Sequence, residues 1–279
     1  MYANFKIKVA VLFVFICTAG LVFGQIVQQI PNGGTVNWQD QIIKGTGIGA
    51  PNPKVPFAAQ RAGAIRAAKL DALRQLLETV KGMNLTAETT VRNAMVENDV
   101  IQTRVSGIVK NFRETDIRYL SDGSVEVDVE IPLSGILLDA LLPQQIGGQT
   151  PAQVQYGVAP QPAYANAVYS GLIIDARGLG LRPAMAPRIL DENGNEIYGT
   201  GFVSRDYAVQ IGVVGYEKNI ARAKSNERVK DNPMVVKALS VSGTNKTDIV
   251  VSNADAANIL AAGKNLNFME QCKVMFILD

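Results

Sequence analysis

The sequence predicts an α+β fold. An N-terminal α/β sandwich, in which a sheet packs against one long helix, is followed by a β-rich C-terminal domain. Three observations support this prediction. Good helix formers with a helical apolar period fill residues 58–81. Two alternating apolar runs flank Asp122-Gly123, which is typical of a β-hairpin. Short apolar runs separated by turn signals recur from residue 168 onward.

The chain opens with a predicted secretory leader, residues 1–24. Lys6 and Lys8 precede an apolar run over residues 9–23, and Gly24 supplies a small residue at the exit. The run is shorter than the roughly 20 residues that a membrane-spanning helix needs. We therefore expect cleavage after Gly24 and export to the periplasm or the outer membrane.

Cys17 raises the question of a lipid anchor, because bacterial lipoproteins keep an acylated cysteine as their first residue. The residue before such a cysteine should be small, whereas Ile16 stands here. This argues against lipidation at Cys17. With the leader removed, Cys272 is the one remaining cysteine, and we expect a buried thiol rather than a disulfide.

Composition excludes several classes of function. The chain contains no histidine, which removes Ser-His-Asp and Cys-His catalysis and the common zinc sites. Loss of Lys6 and Lys8 with the leader leaves basic and acidic residues equal in number. A neutral protein gives no reason to expect a nucleic-acid partner. We expect a protein that is not an enzyme and holds no cofactor or metal. An envelope hydrolase using paired acids is a minor third possibility.

The predicted first domain covers residues 25–142. Residues 25–38 are expected to form a poorly ordered or edge segment in which Trp38 is a packing anchor. Residues 41–49 predict a strand that ends in glycines. The long helix should lie close to the sheet, because alanines occupy much of its apolar face. That face comprises Ala62, Ile65, Ala68, Ala72, Leu73, Leu76 and Val80, with Gly82 as a C-terminal cap.

The rest of this domain is predicted from local signals. Residues 83–91 predict a strand, and Asn98 or Asp99 is expected to cap a helix that Gly107 ends. Residues 108–119 and 125–131 form the two arms of the hairpin, and residues 134–142 predict a short apolar helix.

Residues 143–167 contain four prolines and no charged residue, so we expect an extended linker there. Beyond it lies the predicted second domain, residues 168–279. Its expected strands are 169–176, 188–190, 196–198, 234–241, 247–251 and 273–278. Helix is expected at the start of 217–231 and over 254–262, closed by Gly263.

Three short motifs share features with known ligand-binding loops. Gly45-Thr46-Gly47-Ile48-Gly49 lacks the Gly-Lys-Ser/Thr of a phosphate loop, so a strand end is expected. The segment from Asp191 has Glu196 and Phe202 where a calcium loop needs glycine and glutamate, so a hairpin turn is expected. The loop carrying Arg177 and Arg182, with Arg188 nearby, offers guanidinium groups to an anion or a glycan carboxylate. The alternative for this loop is a turn that orients two strands.

The N-terminal half resembles the N-terminal domain of flagellar assembly protein T and the related LPP-twenty lipoprotein domain. The resemblance covers about residues 38–134. It rests on the glycine-ending strand, the helix AQRAGAIRAAKLDALRQLLETV, the segment VIQTRVSGI and the hairpin closing in VEVDVEIPL. It implies an exported, non-enzymatic protein of the bacterial envelope, some relatives of which contribute to flagellar basal-body assembly. The second half resembles C-terminal regions attached to such domains.

Two functional hypotheses follow. The first is an envelope assembly or structural factor, flagellar or associated with the outer membrane, that acts through contacts with envelope or flagellar proteins. The second is a periplasmic module that binds an anionic cell-wall or surface glycan, such as peptidoglycan, through Arg177, Arg182 and Arg188.

Overall fold

A computed structural model describes residues 25–148, Tyr156 and residues 167–279 of the protein. The predicted leader, including Cys17, lies outside the described residues. In the described part the chain is mixed α+β, as the sequence predicts. Its first sheet is antiparallel, with strand order β1-β2-β3-β5-β4. The strands are β1 (Val27–Gln29), β2 (Thr35–Asn37), β3 (Ile42–Gly49), β4 (Arg113–Tyr119) and β5 (Val125–Pro132).

One face of this sheet packs against the long helix α1 (Phe57–Gly82). The glycines of β3 allow the close approach: a Cβ on Gly47 would lie 2.1 Å from the carbonyl oxygen of Ala68, and one on Gly49 would lie 2.0 Å from that of Ala64. The predicted glycine-ending strand and alanine-rich helix are therefore two sides of one contact. The other sheet face carries charged and polar side chains, which is typical of an antiparallel sheet with one solvated face.

The buried face of α1 begins two residues later than the sequence predicts. Ala62 is exposed, and the buried positions begin at Ala64. The helix also includes Gly82, which was expected to cap it. At about 1.5 Å per residue, residues 57–63 extend roughly 10 Å beyond the last glycine contact with β3.

Two short helices follow, α2 (Val91–Glu97) and α3 (Asp99–Val109). The Asn98 side chain accepts hydrogen bonds from the amides of Val100 and Ile101, so the predicted cap is confirmed. The predicted end at Gly107 is wrong, because the helix continues to Val109. The strand expected at 83–91 is also wrong. This segment is a loop with a single bridge between Asn84 and Thr90, and its backbone bonds to the second half of the chain.

The hairpin of β4 and β5 forms around the predicted turn, with Tyr119 opposite Val125. Residues 108–112, expected in its first arm, belong to the end of α3 and to the connection instead. The short helix α4 (Ile136–Leu141) follows within the predicted span.

The second half contains two four-stranded sheets. The first is parallel, with order β10-β6-β13-β9, formed by β6 (Gly171–Asp175), β9 (Gly215–Glu217), β10 (Pro233–Lys237) and β13 (Val274–Ile277). The second has order β11-β12-β7-β8 and is formed by β7 (Ile189–Leu190), β8 (Glu196–Tyr198), β11 (Ser240–Ser242) and β12 (Asp248–Val250). The strand pair expected from 234–241 and 247–251 is thus split, because β10 joins one sheet while β11 pairs with β12 in the other.

Three helices complete this half: α5 (Arg205–Ile211), α6 (Ile220–Lys224) and α7 (Asn253–Leu266). Gly263, which was expected to close the last helix, lies inside α7. Cys272 is a buried free thiol, as expected, and burial raises its pKa to about 11.

The two halves share one continuous hydrophobic core. Trp38 from the first half packs edge to face on Tyr216, with ring centroids 5.7 Å apart, and Tyr216 packs in the same way on Phe276 at 6.1 Å. The loop after α1 adds backbone bonds, since the amides of Met185 and Ala186 donate to the carbonyls of Asn84 and Leu85. We call this junction the seam.

The predicted linker lies mostly outside the described residues. Where it is described, it contacts the second half: the Gly147 amide donates to Thr200, and the Tyr156 hydroxyl donates to Asp191. The division into domains at 143–167 stays a prediction.

Candidate functional site

An open cleft of about 570 Å³ lies at the seam. Gln39 and Asp40 line it from the turn between β2 and β3. The opposite wall comes from the second half and runs from the end of β9 through α6 to the residues just after it. It comprises Glu217, Ala221, Arg222, Ser225 and Asn226. Both halves therefore contribute to one polar concave surface.

Glu217 joins the two walls of the cleft. It is the last residue of β9 and is only 3% exposed. Its carboxylate accepts a hydrogen bond of 2.6 Å from the Gln39 side-chain amide, and the Arg222 Nε atom lies 3.4 Å away. The Lys218 backbone amide donates to the other carboxylate oxygen. A buried carboxylate needs such partners, so this network fixes Gln39 against the second half.

The contact with Glu217 uses only the side-chain nitrogen of Gln39. Its side-chain oxygen is buried and has no hydrogen-bond partner among the described residues. Beside it, the exposed Asp40 carboxylate accepts from the amide groups of Asn37 and Gln25, and no cation in the described part of the chain pairs with it. The cleft therefore offers amide groups and a carboxylate that has no ion-pair partner among the described residues.

The predicted anion-binding arginines lie elsewhere. Arg177 follows β6 and forms a two-point ion pair with Asp175, at 2.8 Å and 2.6 Å. This contact raises the pKa of the guanidinium and lowers the pKa of the carboxyl. The next residue, Gly178, donates its amide to the Asp279 carboxylate. The anion-binding groups at this turn are therefore occupied by the chain's own carboxylates.

Arg188 is engaged in a similar way. It precedes β7 and pairs with Asp248, whose buried carboxylate also accepts the Arg188 amide. Burial raises the pKa of Asp248 despite this pairing. Arg182 is exposed, and its side chain has no partner among the residues the structure describes. Arg177 follows a strand of the parallel sheet, whereas Arg188 bonds to the other sheet. Of the three predicted arginines, Arg182 is therefore the one whose guanidinium has no partner among the described residues. Binding of an anionic glycan stays a prediction.

The turn after Asp191 is a structural turn. The Asp191 carboxylate accepts the amides of Asn193 and Asn195 and the side-chain amide of Asn195. Its remaining bond comes from the Tyr156 hydroxyl. All of these partners are donors, so the geometry supports the hairpin interpretation over a calcium loop.

The described residues contain no group of three or more carboxylate or thiol side chains placed to hold a metal ion. Nor does any helix within residues 25–148 and 167–279 combine the length and the apolar character needed to cross a bilayer.

Sequence reasoning missed the cleft residues. Gln39, Glu217 and Arg222 are far apart in the chain, and none belongs to a motif. One available signal was Trp38, whose role as a packing anchor is confirmed by its 1% exposure. A lone tryptophan beside Gln39 and Asp40 marks where the two halves meet.

Two family models match the chain, one in each half. Residues 40–132 match the family model of the LPP20 lipoprotein, which confirms the resemblance seen in the sequence. Residues 171–279 match the model of the second domain of Treponema pallidum Tp0624. A search of curated proteins finds no match. The first match supports an exported envelope protein of the lipoprotein type.

Proposed function

We propose that this envelope protein, with an LPP20-type first half, is a non-enzymatic assembly or structural factor that acts through protein contacts. Its partners are envelope proteins, and flagellar or outer-membrane assembly is the most specific form of the proposal. The missing histidine and the neutral mature composition support a role in contact rather than in catalysis.

The cleft at the seam is the observation that carries this proposal. Its walls come from two units of different family type, and Glu217 holds them together through Gln39. Its lining is polar and open, like the wet rim of a transient protein interface. A partner seated here would contact both units at once, so it would recognise the assembled protein rather than either half.

The decisive experiment is complementation of a deletion strain. Motility and envelope integrity are measured for strains carrying the wild type, Ala221→Trp or Lys224→Trp. Ala221 is exposed and lines the cleft, so a tryptophan there fills the cleft without entering the core. Lys224 is exposed on the same helix but does not line the cleft, and it serves as the matched control.

We expect Ala221→Trp to reproduce the deletion phenotype and Lys224→Trp to restore the wild-type behaviour. A deletion without effect on motility and on envelope integrity would contradict the assembly role. Turnover of glycoside or peptide substrates by the purified protein would contradict the non-enzymatic role.

A further inference from the structure

The pole of the first half opposite the seam carries exposed apolar side chains. Phe57, the first residue of α1, is 88% exposed, Tyr119 at the end of β4 is 52% exposed and Leu120 is 40% exposed. Two cations lie beside these side chains. The Arg61 Cζ atom lies 3.9 Å from the centroid of the Tyr119 ring, and Lys54 is exposed in the loop before α1. We call these five residues the tip.

Three segments bring the tip together. Phe57 and Arg61 are one helical turn apart, so they share a face of α1. The stacking of Arg61 on Tyr119 joins that face to the end of β4. The loop before α1 lies against the β4–β5 turn too, because a Cβ on Gly123 would lie 3.3 Å from the Pro51 Cγ atom.

The tip is far from the seam and protrudes from the fold. The β3 strand begins beside the seam and ends at the tip, a span of about 25 Å for eight residues. The first buried residue of α1 is Ala64, so the turn carrying Phe57 and Arg61 overhangs the sheet. The described chain begins at Gln25, whose side chain bonds to Asn37 and Asp40 at the opposite end.

We propose that the tip inserts into an anionic lipid surface. Apolar and aromatic side chains flanked by lysine and arginine are the composition that anchors proteins at the boundary between headgroups and acyl chains. The charges favour such a surface: Lys54 and Arg61 are exposed and outnumber the acid of the adjacent turn, Asp122. The Asp122 carboxylate accepts hydrogen bonds from the Ser124 backbone amide and hydroxyl.

A lipid surface fits this shape better than a protein surface. The apolar side chains stand on an overhang and a turn rather than in a groove. A fluid bilayer accommodates such a protrusion, whereas a protein partner needs a matching cavity to bury it. Because Arg61 stacks on Tyr119, the aromatic ring and the cation would reach the same depth in the bilayer, the layer of the lipid headgroups.

The test is co-sedimentation of the purified exported protein with two kinds of vesicle. One kind is pure phosphatidylcholine, and the other contains equal amounts of phosphatidylcholine and phosphatidylglycerol. Every variant is prepared in the same way, so any anchor near the N-terminus contributes equally to all of them. The variants are Phe57→Ser, Arg61→Gln and, as a matched control, Val96→Ser, which removes an apolar side chain that is 80% exposed on α2.

We expect the wild type to prefer the anionic vesicles. Phe57→Ser should weaken binding by about tenfold, the scale of withdrawing one aromatic side chain from an apolar medium. Arg61→Gln should weaken binding to anionic vesicles by about fivefold. Val96→Ser should bind as the wild type does.

Equal binding by Phe57→Ser and Val96→Ser would overturn the proposal, as would no binding of the wild type to anionic vesicles. Light scattering gives a further outcome. If the wild type is a dimer and Phe57→Ser is a monomer, the tip binds a second copy of this chain instead of lipid. These residues are exposed, so the variants should keep the wild-type far-UV circular dichroism. The result is independent of the complementation test of the cleft.

Discussion

Gly47 and Ala68 lie so close that the strand has no room for a side chain. A Cβ on Gly47 would be 2.1 Å from the Ala68 carbonyl oxygen and 2.2 Å from the Ala72 amide nitrogen. Both neighbours are helix backbone, which cannot rotate away. The contact therefore sets the distance between β3 and α1.

Replacing Gly47 by alanine should destabilise the protein by about 3 kcal/mol, because the helix must shift to admit the methyl group. Urea denaturation measures the change in the free energy of unfolding. Gly63→Ala is the control: apart from its chain neighbours and the local helix backbone, no atom of the described residues lies within 4 Å of its Cβ position. In an exposed helix that change should be neutral or stabilising by up to about 1 kcal/mol. Equal effects from the two substitutions would refute the proposed close contact.

The Tyr216 hydroxyl supports the seam. It accepts a hydrogen bond from the Ala184 amide at 2.9 Å and donates one to the Ala184 carbonyl at 2.8 Å. Tyr216→Phe leaves both buried backbone groups without this partner, so we expect a loss of about 2 kcal/mol in unfolding free energy. Tyr207→Phe, at a position that is 41% exposed, should change stability by less than about 0.5 kcal/mol. A Tyr216→Phe protein as stable as the wild type would mean that these bonds contribute nothing.

Acid should remove the contribution of Asp128. Hydrogen bonds from Arg118 hold the pKa of its carboxyl below the ordinary value of 3.8, with a further bond from Thr46. A lowered pKa gives stability that is present above 3.8 and disappears as the pH falls through the lowered pKa. Asp128→Asn should thus cost about 1 kcal/mol at neutral pH and less in acid. In an Arg118→Met background this pH dependence should shrink. If Asp128→Asn lowered the free energy of unfolding by the same amount at every pH, the Asp128–Arg118 contact would not be its cause.

The shared core predicts cooperative unfolding. Trp38 is the one tryptophan of the chain and lies in the seam, so its fluorescence reports on the contact between the halves. We expect urea transitions followed by Trp38 fluorescence and by far-UV circular dichroism to coincide. If the fluorescence changed first, at lower urea, the seam would open before the halves unfold.

Local signals predicted the elements whose cause is local. The β4–β5 hairpin follows from alternation and an Asp-Gly turn, and the α3 cap from Asn98. The strand prediction for residues 83–91 was wrong because it relied on the β preference of the threonines in this segment. Here long-range bonds decide the conformation, such as that from the Asn245 amide to Ala87. The same limit applies to the cleft, whose walls are nearly 180 residues apart in the chain.

The sequence by itself predicted the α+β class, export, and an alanine-rich helix that lies close to a sheet. These depend on residue size and periodicity, which are properties of a short stretch of chain. Only the tertiary structure decided that Arg188 pairs with Asp248 and that Gln39 meets Glu217. Such contacts arise when distant segments are buried together, because desolvation then forces each polar group to find whichever partner the packing brings close.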